Sequence, residues 1–255
     1  IRKLGRCMEQ SGLTNIGENM KKLLFAVLVT ISSAVFADGL SGNVSLTSDY
    51  RYRGISQTQN ARAIQGGFDY SLKGFYVGNW NSSVSSDLYK NGAGIESDVF
   101  GGYKLEVVKG VTVDVGSYNY FYQRAVTDAN KKYDTNELFV GLTAGPVGVR
   151  YNRSISNYFG IANSVGSQYY QAEANVPVYA GLVANGHVGR TKVNGNDTFN
   201  YTDYKVGATY GFKGYDIGAH YYTNKSFGSG VVAENTIDGQ HLYKNAVVLS
   251  ASKSF

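Results

Sequence analysis

Apolar and polar side chains alternate with a period of two along most of the second part of the chain. Between residues 204 and 212 the even positions are Tyr, Val, Ala, Tyr and Phe, and the odd ones are Lys, Gly, Thr and Gly. The alternation resumes at Tyr215, after the dipeptide Lys213-Gly214, which is typical of a tight turn. Because a period of two places successive side chains on opposite faces of a strand, the pattern predicts antiparallel β-structure.

The composition agrees with sheet rather than helix. The 255 residues include 32 Gly, 22 Tyr and 12 Phe but two Met and two Pro, which suits pleated sheet with tight turns and argues against an all-α fold. Short and long connections alternate between the predicted strands, and both prolines fall in predicted short turns. The pattern predicts about twelve strands, near residues 42–53, 64–72, 75–84, 95–105, 111–122, 135–145, 147–156, 168–177, 179–189, 203–212, 215–224 and 245–255.

The first 37 residues have the features of a targeting segment. Lys21 and Lys22 precede an apolar run over residues 23–36, which ends in small residues. This order predicts a secretory signal peptide over residues 20–37, with residues 1–19 as an upstream extension and residues 38–255 as the mature domain. A membrane-spanning helix is the alternative, but the run is shorter than the roughly 20 residues that a bilayer requires.

The charge of the mature domain does not favour a nucleic-acid partner. The whole chain carries +5, but five of its 24 basic and two of its 19 acidic residues lie before Asp38, which leaves +2 for residues 38–255. A nearly neutral body provides no basic surface for nucleic acid. The mature domain also has no Cys and no Met, so thiolate chemistry is excluded there.

An even number of strands of about ten residues, with short turns at one end and long polar loops at the other, is typical of an outer-membrane β-barrel. A sheet in lipid must close on itself to satisfy its backbone, with an apolar outer face and a polar lumen. We therefore predict an up-and-down barrel in a Gram-negative outer membrane, with both termini periplasmic and outer-membrane lipid around it. Aromatic girdles are predicted at Tyr50, Tyr52, Tyr70, Tyr103, Tyr210, Phe212 and Tyr215.

A secreted lipocalin-like barrel is the main structural alternative. In such a barrel the apolar residues of each strand would face inward and the polar residues outward. The large number of strands and the charged side chains on the polar face argue against it. The last predicted strand ends at Phe255 and resembles the C-terminal segment by which the barrel-assembly machinery selects its clients. That machinery is therefore a predicted partner.

Parity places nine acidic and six basic side chains in the lumen. Rings of charge set ion selectivity in pores, so the acidic excess predicts a water-filled channel with mild cation preference. A barrel of about twelve strands is narrow enough that paired charges filling the lumen are the alternative. The predicted pore-lining residues are Asp49, Arg51, Arg53, Asp69, Glu96, Asp98, Arg150 and Lys205.

Arg51 and Arg53 form a basic pair near the predicted extracellular end of the first strand. There they would attract anionic solutes or bond Asp49 or Glu96, and we favour the bonded arrangement.

The three histidines do not form a catalytic pattern. A lipid-cleaving barrel needs a Ser–His pair at the lipid face, but His187 and His220 have lumen parity and His241 lies in a long loop. We therefore predict no enzymatic activity and no cofactor.

Several stretches resemble one known family. Residues 48–58 (SDYRYRGISQT), 63–70 (AIQGGFDY), 75–80 (FYVGNW) and 100–104 (FGGYK) are similar to the TorF-type porin family, also called Gcw_chp, and residues 203–207 and 252–255 extend the likeness. The resemblance implies an outer-membrane location and a pore. The function that we expect is passive diffusion of ions or small hydrophilic solutes. The alternative is a non-conducting surface barrel whose loops bind a partner or which serves a structural role.

Overall fold

The computed structural model describes residues 38–237 and 239–255, and the predicted signal peptide and upstream extension lie outside them. Twelve antiparallel strands form one closed barrel, in which each strand pairs with its neighbours in sequence and the last pairs with the first. The strands are β1 Gly39–Thr47, β2 Ala63–Leu72, β3 Phe75–Ser83, β4 Ile95–Val108, β5 Val111–Tyr122, β6 Thr135–Ala144, β7 Val147–Ser154, β8 Gln168–Tyr179, β9 Leu182–Lys192, β10 Tyr201–Phe212, β11 Tyr215–Lys225 and β12 Ala246–Ser254. The predicted fold class is confirmed.

The connections divide the barrel into two ends. The turn end carries the two-residue connections. The first strand also begins there, at Gly39, and the last strand ends there, at Ser254. The loop end carries the long connections, which contain two short hairpins, the 3-10 helix Asp197–Phe199 and the helix α1 Ser229–Glu234. Among the described residues no helix is long and apolar enough to cross a membrane.

The outer surface of the barrel is apolar. Large hydrophobic side chains are exposed on every strand, for example Leu46, Ile64, Val140 and Val206. Exposed aromatic rings collect at the turn end, where Tyr70, Tyr210, Phe212 and Tyr215 lie as predicted. An apolar band with aromatic residues at its edge is what a lipid bilayer requires of a barrel, because the backbone is satisfied internally by closure.

The seam of the barrel includes the last residue. The Gly42 N–H donates to the Phe255 carbonyl at 2.8 Å, and the Phe255 N–H donates to the Gly42 carbonyl at 3.0 Å. A Cβ atom at position 42 would lie 2.6 Å from the Phe255 ring, so a larger residue there would displace this ring. The Phe255 ring also packs edge-on against Phe68.

Several boundaries differ from the prediction by one to six residues, and two of the differences have structural consequences. β1 ends at Thr47 rather than near residue 53, and the chain then turns into the barrel. Pro177 lies within β8 rather than in a turn, opposite Val183 and beside a β-bulge. It is tolerated there because β7 pairs with β8 only as far as Ala174, so the missing N–H removes no ladder bond to that strand.

Candidate functional site

The connection between β1 and β2, residues 48–62, folds into the lumen, and we call it the inserted loop. Its core is a hairpin in which Arg51 pairs with Ser56 and Tyr52 with Ile55. The two turn residues, Arg53 and Gly54, have φ of 46° and 81°. Positive φ at both central residues is the geometry that matches the twist of a two-residue hairpin, and glycine adopts it without strain.

One buried carboxylate holds the base of this hairpin. Asp49 accepts hydrogen bonds from Ser56 Oγ at 2.6 Å and from Arg51 Nε at 2.7 Å. Arg51 Nη1 also donates to the Gly54 and Lys244 carbonyls. The predicted bond between Arg51 and Asp49 is thus present.

The tip of the inserted loop reaches the opposite wall of the barrel. Arg53 Nη1 and Nη2 lie 3.0 and 2.6 Å from the two carboxylate oxygens of Glu137 on β6. The guanidinium also lies 3.9 Å from the ring centre of Tyr169 on β8 and donates to the hydroxyl of Tyr158. Burial alone would lower the pKa of Arg53, but the Glu137 carboxylate raises it, and the net pKa is well above its usual value. Arg53 is therefore a fixed cation.

A third contact fixes the tip against β11. Asn224 Nδ2 donates to the Gly54 carbonyl at 2.9 Å. A Cβ atom on Gly54 would lie 2.0 Å from Asn224 Oδ1 and 2.9 Å from the Cβ of Asp203. Glycine is therefore required here both by the backbone conformation and by the close approach of the wall.

Aromatic side chains fill the space around the inserted loop. Tyr50 and Tyr52, which we predicted to face lipid, point inward instead, because β1 ends before them. Tyr50 packs against Trp80, and Tyr52 packs against Tyr120 on β5. We call this group the tyrosine cluster; its buried members include Tyr50, Tyr89, Tyr118, Tyr120, Tyr122 and Phe139.

The tyrosine cluster encloses Glu96 and Asp98, neighbours on the inner face of β4. Both are almost completely buried, at 0% and 2% exposure. Tyr50 Oη donates to Glu96 Oε1 at 3.2 Å. The alternative expectation that the arginine pair bonds Glu96 is wrong, since Arg51 bonds Asp49 and Arg53 bonds Glu137.

The turn-end half of the lumen is lined by polar side chains at the strand walls. On one wall Arg150 of β7 donates to Asp114 of β5 at 2.9 Å, and Tyr76 Oη donates to the other carboxylate oxygen at 2.7 Å. The residue between them on β6 is Gly141, which leaves room for the arginine to reach across. Asp69 lies half-buried on the same side.

The wall formed by β8 to β11 carries a second polar group, which lies nearer the loop end because Tyr169 and Asp203 are close to the loop-end starts of β8 and β10. His187 Nε2 lies 2.9 Å from Asp203 Oδ1, and Tyr169 Oη lies within 3.1 Å of the same carboxylate. Lys205 is half-buried beside them and is the cross-strand partner of His187. His220 Nε2 lies 2.9 Å from Asn185 Oδ1 on the inner face. Between residues 38 and 255, Asp238 aside, no group of three His, Cys, Asp or Glu side chains is placed to hold a metal ion.

All eight side chains that we predicted to line a pore lie on the inside of the barrel. Five of them belong to the packed loop-end half: Asp49, Arg51, Arg53, Glu96 and Asp98. Asp69 and Arg150 lie on the walls of the turn-end half, and Lys205 lies farther from the turns on β10, opposite His187. That they line a conducting path stays a prediction. Parity had placed Glu137 in the lumen, but nothing in the local sequence indicated that it binds Arg53, 84 residues away.

Comparison with known proteins agrees with this architecture. The Gcw_chp family model, described as a bacterial protein of unknown function, matches residues 33–255. The KdgM porin structure aligns with a TM-score of 0.55 and 7% identity, over 84% of this chain and 99% of that one. The NanC porin structure gives 0.56 and 10%, over 85% and 99%. At such low identity the likeness shows the fold. No curated protein matches the chain.

Proposed function

Since this chain belongs to the Gcw_chp family of bacterial proteins, we propose that its barrel is a porin-like channel of the outer membrane. Ions or small hydrophilic solutes diffuse through it passively. The observation that carries the proposal is a lumen lined by charged and polar side chains inside an apolar outer wall, because an aqueous channel through a bilayer requires both.

The inserted loop sets the passage in this proposal. The loop-end half is filled by residues 48–62 and the tyrosine cluster, whereas the two-residue turns bring no segment into the turn-end half, where Asp69 and Asp216 stay partly exposed. The tip of the loop is held against the far wall by the Arg53–Glu137 pair and the Asn224–Gly54 hydrogen bond, and Tyr50 and Tyr52 pack into the tyrosine cluster. Displacement of this one segment would join the two halves into a continuous path.

The location follows the general architecture of outer-membrane barrels. Short turns of such barrels face the periplasm and long loops face the outside. On that rule the turn end, with Gly39 and Ser254, is periplasmic. The signal peptide predicted over residues 20–37, and delivery by the assembly machinery through the strand that ends at Phe255, belong to the same proposal.

A non-conducting surface barrel is the second candidate function. The packing of the loop-end half favours it, because Glu96, Glu137 and Leu242 are almost wholly enclosed. In that case the loops above the tyrosine cluster would form a fixed surface for a partner, or the barrel would have a structural role.

Ion current across a planar bilayer distinguishes the two candidates. The protein is refolded in detergent, its fold is verified by heat-modifiable mobility on a gel, and current is recorded under a salt gradient. A channel gives discrete conductance steps, and the reversal potential gives its ion preference. Silence from the folded protein, and equally from a variant in which residues 51–58 are replaced by a short Gly-Ser linker, would overturn the channel proposal.

A further inference from the structure

A polar patch interrupts the apolar outer surface on β3 to β6. Asn79 and Asn81 share the outward parity of Phe75 and Val77, which are 65% and 54% exposed. The neighbouring strands add further outward polar side chains at adjoining positions. We call this set the amide patch; it consists of Asn79, Asn81, Ser97, Asn119 and Asn136.

The amide patch lies within the apolar band rather than at its edge. On its loop side, Ile64, Ile95 and Phe121 are exposed apolar side chains. On its turn side, Val77 and Val115 are exposed in the same way. Hydrocarbon-contacting residues therefore bound the patch in both directions along the strands, so headgroups at the membrane surface do not account for it.

The hydrogen-bonding capacity of the patch is only partly used. Asn136 Nδ2 donates to Asn119 Oδ1 at 2.7 Å, and Asn119 Nδ2 donates to the Val99 carbonyl at 3.0 Å. Over residues 38–237 and 239–255, the side chains of Asn79 and Asn81 form no hydrogen bond. An amide has two donors and an acceptor, and lipid tails satisfy none of them. Half-exposed amides in the band therefore need polar groups from another molecule.

A shallow depression adjoins Asn81 on the same outer face. It is lined on the lipid side by Ile64, Gly66 and Asn81. Gly66 contributes no side chain, and a Cβ there would lie 2.6 Å from the Asn43 carbonyl oxygen. The surface beside the patch is thus shaped to receive a side chain from a neighbour.

We propose that the amide patch is the interface with a second copy of this chain. Copies in one membrane share their orientation, so a two-fold axis along the membrane normal brings identical patches together at identical depth. Amides suit such an interface because each is both donor and acceptor and therefore pairs with a copy of itself. Polar side chains also associate transmembrane segments where the hydrophobic effect gives no driving force.

The stagger of the sheet identifies which amides meet. The cross-strand row that starts at Phe75, at the turn end of β3, reaches Tyr151 in the loop half of β7, so rows rise toward the loop end. Asn119 on β5 lies in the same cross-strand row as Asn79, two strands farther along it. Asn81 lies on the same strand as Asn79, two residues nearer the loop end. Both displacements correspond to about 5–6 Å of depth for strands tilted by about 40°. A two-fold axis at β4 therefore places Asn81 against Asn119 of the other copy.

Thiol cross-linking in lipid vesicles tests the axis. All variants carry Cys7→Ser, so that one introduced cysteine is the only one in the chain. Ser97→Cys lies on β4 at the proposed axis, and Ala208→Cys lies on the outer face of β10, on the far side of the barrel. With a short bis-maleimide, we expect at least fivefold more dimer from Ser97→Cys than from Ala208→Cys. Equal yields would mean random collision and would overturn the proposal.

A mixture of two variants tests the pairing itself. Asn81→Cys and Asn119→Cys proteins are reconstituted separately and together, and the cross-linked fraction is measured. We expect several-fold more dimer in the mixture than in either variant alone. Dimer that forms equally well from each single variant contradicts the proposed axis.

The last test replaces the amides without changing the fold. The double variant Asn81→Leu/Asn119→Leu should be monomeric by ultracentrifugation in detergent, whereas the wild type and the matched variant Ala208→Leu should be dimeric. Heat-modifiable mobility verifies that each barrel is folded. A monomeric wild type, or cross-linking of Ser97→Cys in cells to a protein of another mass, would show that lipid or a different protein covers the patch and would overturn the second-copy proposal.

Discussion

The two halves of the lumen share one sheet and one inside–outside parity, yet they are filled differently. In the loop-end half, Glu96, Tyr122 and Glu137 are at most 2% exposed. In the turn-end half, Asp69 and Asp216 are partly exposed, and buried charge is confined to the wall, as in the Asp114–Arg150 pair. The walls alone therefore do not close the barrel. The two halves differ in whether a segment of the chain lies between the walls.

The lengths of the connections explain this difference. A two-residue turn such as Lys213-Gly214 has no spare chain to fold inward, so the turn-end half is filled by wall side chains and solvent. The inserted loop has 15 residues and brings its own hairpin, an ion pair and two tyrosine rings into the lumen. Closure at the loop end is consequently a property of a segment that can be altered without rebuilding the sheet.

Of the substitutions that test this difference, removal of the arginine at the loop tip should have the largest effect on the packing of the loop-end half. Arg53→Ala deletes a buried ion pair and leaves Glu137 without its cation, at a cost of about 3–5 kcal/mol to the packed state of the inserted loop. We expect the loop-end half to open and single-channel conductance to rise several-fold. Planar-bilayer recording with the refolded variant measures this.

The matched control is an ion pair in a loop outside the lumen. Lys90 and Asp128 lie 2.9 Å apart with 59% and 85% of their side chains exposed, and such pairs contribute about 0–1 kcal/mol. Lys90→Ala should leave conductance unchanged. A conductance rise of equal size in both variants would mean that loop charge, rather than the loop tip, controls the passage.

A methyl group on Gly54 should loosen the same contact by a smaller amount. Gly54→Ala adds a Cβ that clashes with Asn224 at a residue with φ of 81°, a combination expected to cost about 1–3 kcal/mol. Gly214→Ala is the control, because Gly214 has φ of 80° but no atom within 4 Å of a Cβ. We expect increased proteolysis of residues 48–62 in Gly54→Ala alone. Equal cleavage of both variants would show that backbone strain, and not the wall contact, is responsible.

The barrel itself could be predicted because its signal repeats in every strand. Alternation at residues such as Tyr204, Val206 and Ala208 is local, and closure follows from the need to satisfy the backbone in lipid. The outward position of the turn-end aromatic residues followed from the same parity. These features need no knowledge of which residues meet across the lumen.

The closure of the loop-end half could not be predicted in the same way. Residues 50–53 continue the alternation of β1, so the sequence extends the strand that in fact ends at Thr47. The chain turns inward because Asp49, Ser56 and Glu137 provide partners for the hairpin, and Glu137 is far away in sequence. A local pattern carries no information on such a contact. The Arg53-Gly54 pair, which favours a two-residue hairpin turn, was the one available signal.

Two tyrosine-to-phenylalanine substitutions compare how much one hydroxyl group contributes to the free energy of unfolding in each half of the lumen. Tyr50→Phe removes the donor to the fully buried Glu96 inside the tyrosine cluster and should cost about 1–3 kcal/mol in the free energy of unfolding. Tyr76→Phe removes a donor to Asp114, which keeps its bond to the Arg150 cation, so about 0.5–1 kcal/mol is expected. Urea titration in lipid vesicles measures both. A larger loss for Tyr76→Phe would show that the Arg150 bond does not compensate for the lost hydroxyl.

The smallest effect should come from a single wall charge on β10. Lys205 lies near the Glu173 and Asp203 carboxylates at a partly exposed position, so Lys205→Gln should leave the fold and the loop unchanged. Across about 8 Å of water a unit charge acts on an ion with about 0.5 kcal/mol, which salt screening over one Debye length reduces to about 0.2 kcal/mol. Because the effect has opposite sign for cations and anions, the cation-to-anion permeability ratio should rise about twofold. The reversal potential under a salt gradient measures it, in the wild type and in Arg53→Ala. Lys213→Gln, at the tip of an outer turn, is the control and should not shift the potential. If neither substitution shifts it while current still flows, ions do not pass close to Lys205, and this wall is not the selective part of the path.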